Sequence, residues 1–505
     1  MAQPNILVLM ADQLNPKYLG AYGDPIGQTP HLDRLAAEGV VFDSAYCNSP
    51  LCAPSRYVFL TGQRASRIGA YDNASELTAQ TPTFAHCLRA AGYRTLLAGK
   101  MHFCGPDQLH GFEERLTTDI YPADFGWVPD WLHPHDRLDW YHTMRSVTEA
   151  GPCVRTNQLD FDDEVVYSTR QKLYDLVREK DARPFLLVAS LTHPHDPFAI
   201  PQSYWDRFAE ADIPVPTVGQ ADVAADPQSQ RIRAMCDQDA SGVTPEQVQR
   251  ARRAYYGAIA YVDDQFGAIL HTLQETGQAD NTIVIVASDH GEMLGERGLW
   301  YKMNFFEGAS RVPLIVHAPQ HFAPRRVAQS VSLVDVLPTL LELGAAQPVL
   351  GDAPDGRSLL PHLRGQGGHD EVMAEYLGEG ALAPMVMVRR GRYKFIHAPG
   401  DPDQLYDLAH DPNERHNLAL SPVHAPLLQD FRAEVAQRWD LSALHAEVVR
   451  SQQRRRLVYQ ALSTGRPHSW DHQPLQDASQ RYMRNHLKLD DLEARARHPQ
   501  VTPAR

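Results

Sequence analysis

The stretch TIVIVA at residues 282–287 has the composition of a β-strand that is buried on both faces. It directly follows the clearest helical pattern of the chain, which is predicted to begin at Thr244. There Thr-Pro-Glu-Gln supplies an N-cap, a proline at the first helical position and Gln247 to complete a capping box. A buried strand that follows a helix is typical of a mostly parallel sheet covered by helices.

Other segments extend this alternation on both sides of the strand. The runs NILVLM at 5–10 and FLLVASL at 185–191 are predicted to be buried strands, and residues 31–39 a short helix. Beyond about residue 370 the pattern changes, since PMVMVRRGRYKFI at 384–396 predicts a hairpin of a second, smaller sheet. Two helical stretches follow, and from Arg466 onward the chain is polar and poorly periodic.

These patterns predict an α/β fold with a large mixed, mostly parallel sheet sandwiched by helices. A smaller C-terminal α+β domain and an extended C-terminal tail are expected to follow it. We place the large domain at residues 1–370, the smaller domain at 371–465 and the tail at 466–505.

Composition excludes several classes of protein and partner. The chain has 505 residues, 43% of them hydrophobic and 22% charged, which is ordinary for a globular protein. Its 62 acidic residues against 48 Lys and Arg give a formal charge of −14, which argues against nucleic acid or an anionic membrane as a partner. The six scattered cysteines indicate reduced thiols. With no leader-like segment and no run of 18 apolar residues, we expect a soluble, cytoplasmic protein.

Acidic and polar residues follow two of the predicted strands. Asp12 and Gln13 come after the first strand, and Asp289 and His290 after the strand at 282–287. Since ligands of open α/β sheets gather at the carboxyl ends of the strands, we expect these residues to converge. Two carboxylates, an imidazole and an amide suit Ca²⁺, Mg²⁺ or Mn²⁺ better than structural zinc. The alternative is that Asp12 and Asp289 only cap the helices that follow them.

The string LCAPSR at 51–56, continued by LTG at 60–62, is more specific. Cys-x-Pro-x-Arg followed by Thr-Gly is the motif of type I sulfatases, in which the cysteine is converted to formylglycine, and the chain resembles that family. Further matching positions are Asp12, GKMH at 99–102, HDP at 195–197, DHG at 289–291, Lys302, EGASRVP at 307–313 and LYDL at 405–408. The similarity therefore spans essentially the whole chain.

Within that family the resemblance is closer to the choline sulfatases. The segments that resemble theirs are GPDQLHGFEER at 105–115, YPADFGW at 121–127, WDHQP at 470–474 and YMRNH at 482–486. The pairs Asp12-Gln13 and Asp289-His290 stand where many arylsulfatases have Asp-Asp and Asp-Asn. Phosphonate monoester hydrolases of the same superfamily share this variant, so hydrolysis of a phosphonate monoester or a phosphodiester is the alternative reaction.

The resemblance implies a role for each matching residue. Cys52, oxidised by a formylglycine-generating enzyme, would provide an aldehyde hydrate as the nucleophile. The implied metal ligands are Asp12, Gln13, Cys52, Asp289 and His290, with Ca²⁺ as the expected ion and Mg²⁺ or Mn²⁺ as alternatives. Asp289 is implied as the base for the attacking hydroxyl, and Arg56 and Lys100 as the residues that hold the diol and the charge on the metal side. His102 would assist the breakdown of the intermediate. His195 and Lys302 would bind the sulfate and protonate the leaving oxygen, and Asn73 matches a further polar position of the active site.

Recognition of choline needs aromatic faces and a carboxylate, because a quaternary ammonium group donates no hydrogen bonds. Residues 121–142 hold six aromatic residues, three of them tryptophans, although such a cluster is also common in a core or a subunit interface. Trp127, His142 and Glu379 match choline-contacting positions of the family, and Asp490 matches a position that reaches a neighbouring subunit's pocket. The resemblance therefore implies a homo-oligomer, a dimer or tetramer, joined through the C-terminal tail.

The expected reaction is the hydrolysis of choline O-sulfate to choline and sulfate. A protein that only binds quaternary ammonium compounds, with Cys52 left as a thiol, is the alternative outside the enzymes. The basic run RRR at 454–456 follows an apolar-periodic helix in an acidic protein. We therefore interpret it as a solvated face or as interface salt bridges, and not as a nucleic-acid site.

Overall fold

The computed structural model describes residues 3–348, 350–475, 482 and 488–499. The strands are β1 (Asn5–Ala11), β2 (Val40–Tyr46), β3 (Arg94–Gly99), β4 (Glu114–Arg115), β5 (Gly151–Cys153), β6 (Phe185–Leu191), β7 (Ala199–Pro201), β8 (Thr282–Ser288), β9 (Arg311–Val312), β10 (Leu314–His317), β11 (Arg325–Ser332), β12 (Glu371–Tyr376), β13 (Met385–Arg390), β14 (Tyr393–His397) and β15 (Gln404–Asp407). The helices are α1 (Pro30–Glu38), α2 (Cys52–Thr61), α3 (Phe84–Ala90), α4 (Arg145–Thr148), α5 (Asn157–Arg178), α6 (Gln202–Asp206), α7 (Pro227–Met235), α8 (Gln238–Ser241), α9 (Pro245–Glu275), α10 (Glu307–Ser310), α11 (Val336–Leu343), α12 (Leu360–Leu363), α13 (Ala425–Arg438), α14 (Leu441–Leu462) and α15 (Leu489–Ala496).

A large mixed sheet forms the centre of the molecule. Its strand order is β11-β2-β10-β8-β1-β6-β3-β4, with β9 paired to β2. β1 runs parallel to both neighbours, so that Leu9 lies beside Ala189 of β6 and Val286 of β8. β10 is antiparallel to β2 and β8, and β9 is antiparallel to β2. The prediction of a mixed, mostly parallel sheet between helices is confirmed, and the apolar runs that predicted it are the buried central strands.

The helix before β8 begins as the sequence predicts. The Thr244 side chain accepts a hydrogen bond from the N–H of Gln247, whose side chain accepts one from the N–H of Thr244. α9 then extends over 31 residues to Glu275. Gly277 lies beyond its end with a φ of +69°, a conformation that glycine adopts without strain. The capping box and the glycine thus define the helix that leads into the central strand.

A smaller antiparallel sheet, with the order β12-β13-β14-β15, follows the large one. One of its faces packs on α13, where Phe395 stacks on Phe431 with ring centres 5.4 Å apart. Residues of the other face, among them Met387 and Ile396, belong to the main hydrophobic core. The predicted hairpin is β13 and β14, joined at Gly391, whose φ of +54° suits a tight turn.

α14 anchors the segment that contains the aromatic cluster. The guanidinium of Arg455 donates to both carboxylate oxygens of Asp72, and Arg456 pairs with Asp130. The side chain of Gln452 accepts a hydrogen bond from the N–H of Trp131 at 2.9 Å. Arg455 and Arg456 therefore form salt bridges within the chain, whereas the sequence analysis expected a solvated face or interface salt bridges.

The first part of the C-terminal tail packs on the same segment. The ring of Trp470 lies 5.3 Å from that of Phe125, and Asp471 accepts a hydrogen bond from the N–H of Ala123 at 3.0 Å. Most of the YMRNH stretch, residues 483–486, lies outside the described residues. α15 carries Asp490 on its exposed surface. Among the described residues, no helix is long and apolar enough to cross a membrane.

Replacing Arg455 with Met is expected to lower the free energy of unfolding by about 3–5 kcal/mol, because it leaves the buried Asp72 carboxylate without its cation. Urea denaturation followed by circular dichroism measures the change. The matched control is Arg454→Met, which removes an exposed pair with Glu447 and should cost about 1 kcal/mol or less. Equal losses for the two variants would contradict the role given to Arg455.

Candidate active site

Three strands of the large sheet place polar side chains in one region. Asp12 follows β1, Lys100 follows β3 and Asp289 follows β8, and all three side chains are completely buried. β1 lies between β6 and β8, and β3 is the next strand beyond β6. The carboxyl ends of these parallel strands therefore meet in one region of the sheet edge, as the sequence predicts.

Cys52 is the first residue of α2, whose N-terminus faces this region. Its Sγ lies 3.2 Å from Nε2 of His290, 3.7 Å from Nζ of Lys100 and 4.0 Å from Oδ1 of Asp12. Asn73 accepts a hydrogen bond from the N–H of Ala53 at 3.0 Å and so fixes the first turn of α2. The nucleophile position thus sits at the positive end of a helix dipole and beside an ammonium group.

One turn along α2, Arg56 joins the two carboxylates. Its Nε donates to Asp289 at 2.9 Å, and its Nη2 donates to Asp12 at 3.0 Å. Burial alone would lower the pKa of Arg56, but the two carboxylates raise it above its ordinary value. Burial likewise opposes the charge of Asp12, yet Lys100, His195 and Arg56 hold its pKa well below the usual range. Asp12 and the guanidinium therefore stay charged in the interior.

A potential metal centre lies among these side chains. One ligand atom from each of Asp12, Cys52, Asp289 and His290 lies within 4.8 Å of the others. Nδ1 of His290 is 3.0 Å from the carbonyl oxygen of Gly291, so that Nδ1 carries the proton and Nε2 keeps a free lone pair. Burial lowers the pKa of His290, which keeps the imidazole neutral. Two carboxylates and one neutral imidazole fit a divalent cation.

Gln13 lies beside this group in a left-handed conformation, with a φ of +63°. Its backbone N–H donates to Asp289 at 3.0 Å, and its side-chain nitrogen donates to Glu292. The side-chain oxygen accepts a hydrogen bond from Lys302 at 2.7 Å. Glu292 thus orients the amide so that its oxygen faces the ammonium of Lys302.

Lys302 and His195 form a buried pair across the pocket. Nζ of Lys302 lies 2.8 Å from Nε2 of His195, and Nδ1 of His195 lies 2.7 Å from the carbonyl oxygen of Asp196. Burial and Lys302 lower the pKa of His195 well below its usual range. Burial opposes the charge of Lys302 too, but nearby anions, Asp196 and Asp12 among them, raise its pKa. Lys302 therefore carries the proton, and His195 accepts a hydrogen bond from it.

His102 stands on the other side of Cys52, again with a positive φ of +60°. Neither of its ring nitrogens has a hydrogen-bond partner among the described residues, and burial lowers the pKa of the ring. Asp119 holds the backbone of this segment by accepting from the N–H groups of Met101 and His102, at 3.0 and 2.9 Å. A neutral imidazole with free nitrogens is thus kept next to the nucleophile position.

Aromatic rings form one wall of the region. The ring centre of Tyr121 lies 4.1 Å from Nζ of Lys100 and 4.9 Å from the ring centre of Trp127. Trp127 also lies 5.8 Å from the ring of His102. His142 packs on Tyr301 at 4.5 Å, and its Nε2 has no hydrogen-bond partner among the described residues. The aromatic segment therefore adjoins the catalytic candidates.

Glu379 provides a carboxylate near that wall. It is 5% exposed, and its Oε2 has no hydrogen-bond partner among the described residues. Trp131 of the aromatic segment donates to the carbonyl oxygen of the neighbouring Gly378 at 3.0 Å. Burial raises the pKa of Glu379 to about 7. A buried and unpartnered carboxylate of this kind is suited to a cation that donates no hydrogen bonds.

The structure brings together the candidates from Asp12 to Lys302, while Asp490 contacts no residue of this site among the described residues. The sequence analysis missed two residues that position others, Glu292 and Asp119. Glu292 completes the stretch DHGE at 289–292 and could have been suspected from its place after the metal candidates. No local pattern marks Asp119, because its hydrogen bonds depend on the path of the loop.

Comparison with known proteins finds relatives over nearly the full length. A choline-sulfatase of Rhizobium meliloti (strain 1021) is 48% identical over 506 residues, which cover 98% of this chain and 99% of the relative. An arylsulfatase of Clostridium perfringens (strain 13 / Type A) is 29% identical, with 85% and 93% covered. The crystal structure of a phosphonate monoester hydrolase of Agrobacterium radiobacter superposes with a TM-score of 0.69 at 26% identity, covering 88% of this chain and 96% of that one.

Three family models match successive, partly overlapping parts of the chain. The sulfatase family matches residues 4–346, and the C-terminal region of N-sulphoglucosamine sulphohydrolase matches residues 295–440. The C-terminal region of choline sulfatase matches residues 446–498, which include most of α14 and α15. The resemblance seen in the CAPSR motif is thereby confirmed: the chain belongs to the sulfatase family and carries the C-terminal region of its choline-sulfatase branch.

Proposed function

We propose that the protein hydrolyses choline O-sulfate to choline and sulfate, with the side chain at position 52 as the nucleophile. The observation that carries this proposal is the charge distribution of the site. Lys100, Arg56 and Lys302 lie at the Cys52 end, and the unpartnered carboxylate of Glu379 lies near the aromatic wall. Choline O-sulfate has the complementary distribution, an anion at one end and a quaternary ammonium at the other. The relative from Rhizobium meliloti supports the same substrate.

The sulfatase family implies a formylglycine and a divalent metal. A formylglycine hydrate at position 52 would supply a hydroxyl nucleophile. Asp12, Asp289 and His290, with Gln13 beside them, would hold a divalent cation, which would supply Lewis-acid stabilisation of negative charge on the ester. We propose Ca²⁺ as this cation, since carboxylate and amide oxygens dominate the donor set. Maturation of Cys52 then requires a formylglycine-generating enzyme, and we propose a cytoplasmic location for both proteins.

Different residues of the chain act on the nucleophile and on the leaving group of the sulfate ester. Asp289 lies beside position 52 and accepts the proton of the attacking hydroxyl, while Arg56 holds its carboxylate in place by a hydrogen bond of 2.9 Å. Lys100 stabilises negative charge on the group at position 52. The neutral ring of His102 takes up a proton there when sulfate is released.

Lys302 is the residue that we assign to the leaving oxygen. Two of its three protons are directed to Gln13 and His195, which leaves the third for the substrate. His195 accepts a hydrogen bond from this ammonium group and so orients it; both ring nitrogens are then occupied, and sulfate binding falls to Lys302. Acid assistance matters here because choline leaves as an alkoxide, which is far more basic than a phenolate.

Changing Cys52 to Ala is expected to lower turnover of choline O-sulfate by about 10³-fold or more, because the nucleophile is lost. Mass spectrometry of the intact active protein should show a species about 18 Da lighter than the cysteine form. The matched control is Cys47→Ala, which removes another buried cysteine and should keep turnover. Wild-type-like rates in Cys52→Ala would contradict the proposed nucleophile.

Changing Glu379 to Gln is expected to raise KM for choline O-sulfate by about tenfold, and to leave KM for an aryl sulfate nearly unchanged. Because the pKa of Glu379 is raised to about 7, the carboxyl loses its charge below that pH. KM of the wild type for choline O-sulfate should therefore fall as pH rises from about 6 to 8, and Glu379→Gln should remove this dependence.

Two further variants distinguish a role in binding the substrate from a structural role. Trp127→Ala should weaken the binding of choline O-sulfate, measured as KM, by about 2- to 30-fold, which is the range expected for one cation–π contact. The control is Leu132→Ala, at an exposed position on the same segment, and it should leave KM for both substrates unchanged. Equal losses on choline O-sulfate and on the aryl sulfate would show that Trp127 and Glu379 are structural.

We also propose the tail at 466–505 as an arm that joins subunits and brings Asp490 to a neighbouring pocket, with the large domain at 1–370 and the smaller one at 371–465. In support, Asp490 contacts no residue of its own site among the described residues, and Leu475 and Leu489 are exposed. A chain that ends at Leu475 keeps Trp470 on Phe125 and removes α15. It should have the mass of a single chain by light scattering, and an unchanged mass would refute the arm.

A further inference from the structure

The loop that carries Lys302, residues 292–303, has an unusual backbone. Positive φ angles occur at four of its residues other than glycine, with values of +47° at Leu294, +60° at Arg297, +67° at Tyr301 and +72° at Met303. Such residues rarely adopt this conformation, and it persists only where surrounding contacts hold it. Lys302 lies between the last two of them. The position of its ammonium group therefore depends on what holds this loop.

The side chain of Glu292 holds the loop from within. It is completely buried, and its Oε1 accepts hydrogen bonds from the N–H groups of Leu294 and Tyr301, both at 2.7 Å. These are two of the residues with positive φ, and Tyr301 directly precedes Lys302. One carboxylate oxygen thus joins the start of the loop to the residue before the ammonium-bearing side chain.

The second carboxylate oxygen acts on the same ammonium group through Gln13. Oε2 of Glu292 accepts a hydrogen bond from Nε2 of Gln13, and Oε1 of Gln13 accepts one from Nζ of Lys302 at 2.7 Å. Another acceptor for Nε2, Oδ1 of Asp196, lies farther away, at 3.5 Å. If the Gln13 amide were reversed, its two N–H groups would face the ammonium, and donor would oppose donor. Glu292 is therefore the main contact that keeps the amide oxygen towards Lys302.

We propose that Glu292 is a positioning residue for the acid that protonates the leaving oxygen. It holds the backbone before Lys302 and the amide beside the ammonium, and so directs the third proton of Lys302 towards that oxygen. The other two protons are directed to Gln13 and His195, so these two contacts determine where the third one points. This inference rests on the proposed function, in which Lys302 is the acid. Glu292 acts through Tyr301 and Gln13.

Glu292→Gln tests the proposal, because its amide can satisfy either the two backbone N–H groups or the Gln13 amide, but not both. The loss in kcat/KM should depend on the leaving group, since a more basic leaving group needs more acid assistance. We expect a loss of about tenfold to 100-fold for choline O-sulfate, a smaller one for phenyl sulfate and less than about threefold for 4-nitrophenyl sulfate, which releases the weakest base. Both aryl sulfates lack the quaternary ammonium, so their comparison does not involve the aromatic wall. Equal losses on the three substrates would overturn the proposal.

A double-mutant cycle with Lys302→Met shows whether Glu292 acts through the ammonium group. Adding Glu292→Gln to Lys302→Met should lower kcat/KM for choline O-sulfate by less than about twofold, because the acid is already absent. Losses that multiply would contradict the proposal.

Lys302→Met alone distinguishes a failure of this inference from a failure of the proposed function. If Lys302→Met shows the dependence on the leaving group and Glu292→Gln does not, only the role of Glu292 is wrong. If Lys302→Met loses equally on all three substrates, Lys302 is not the acid, and both the proposed mechanism and this inference are wrong.

The matched control is Glu296→Gln, in the same loop. Glu296 is buried, accepts from the N–H of Val218 at 3.0 Å and pairs with Lys17 at 2.7 Å, away from Gln13 and Tyr301. It should keep wild-type kcat/KM for all three substrates, and a loss that depends on the leaving group would count against the proposal. Assays at about pH 8 keep Glu292 ionised, since burial raises its pKa to about 7. If circular dichroism shows that Glu292→Gln does not fold, Glu292→Asp, which withdraws the carboxylate by one methylene, replaces it with the same expectation.

Discussion

The structure depends on a single buried arginine. Arg56 donates to Asp12 after β1 and to Asp289 after β8, and also to the carbonyl oxygen of Lys100 after β3 and to Ser190 of β6. One side chain on α2 thus connects the carboxyl ends of four adjacent strands. Two fully buried carboxylates require such a cation, and breaking a buried pair of this kind typically costs about 3–5 kcal/mol. The same contacts fix the start of α2, and with it Cys52, against the strand ends.

The C-terminal region supports the candidate site from outside. Arg455 of α14 binds Asp72, which precedes the Asn73 that holds the first turn of α2. Gln452 and Arg456 hold the aromatic segment at Trp131 and Asp130. These three residues of α14 fall within residues 446–498, the part of the chain that matches the choline-sulfatase C-terminal region. The resemblance at the end of the chain therefore coincides with the helix that holds the aromatic segment in place.

The sequence predicts the fold well where packing leaves a local pattern. β1, β6 and β8 are recognisable because they are apolar on both faces, and α9 because its capping box and apolar period agree. The convergence of Asp12 and Asp289 follows from their places after parallel strands. Glu379 has no such local signal, and only the family resemblance identifies it.

Other features depend on contacts between distant segments and leave no local pattern. The direction of the Gln13 amide is set by Glu292 and Lys302, which are 279 and 289 residues away in the chain. In the run RRR, successive side chains of a helix point in different directions, so that only Arg455 reaches Asp72.

We propose that one pocket joins an anion-binding nucleophile to a cage for a quaternary ammonium. The most direct test compares kcat/KM for choline O-sulfate, an aryl sulfate and an aryl phosphonate monoester on one preparation, with Ca²⁺, Mg²⁺ and Mn²⁺ supplied in parallel. The account predicts that choline O-sulfate gives the highest value with the best metal. A higher value for the phosphonate or for the aryl sulfate would contradict it.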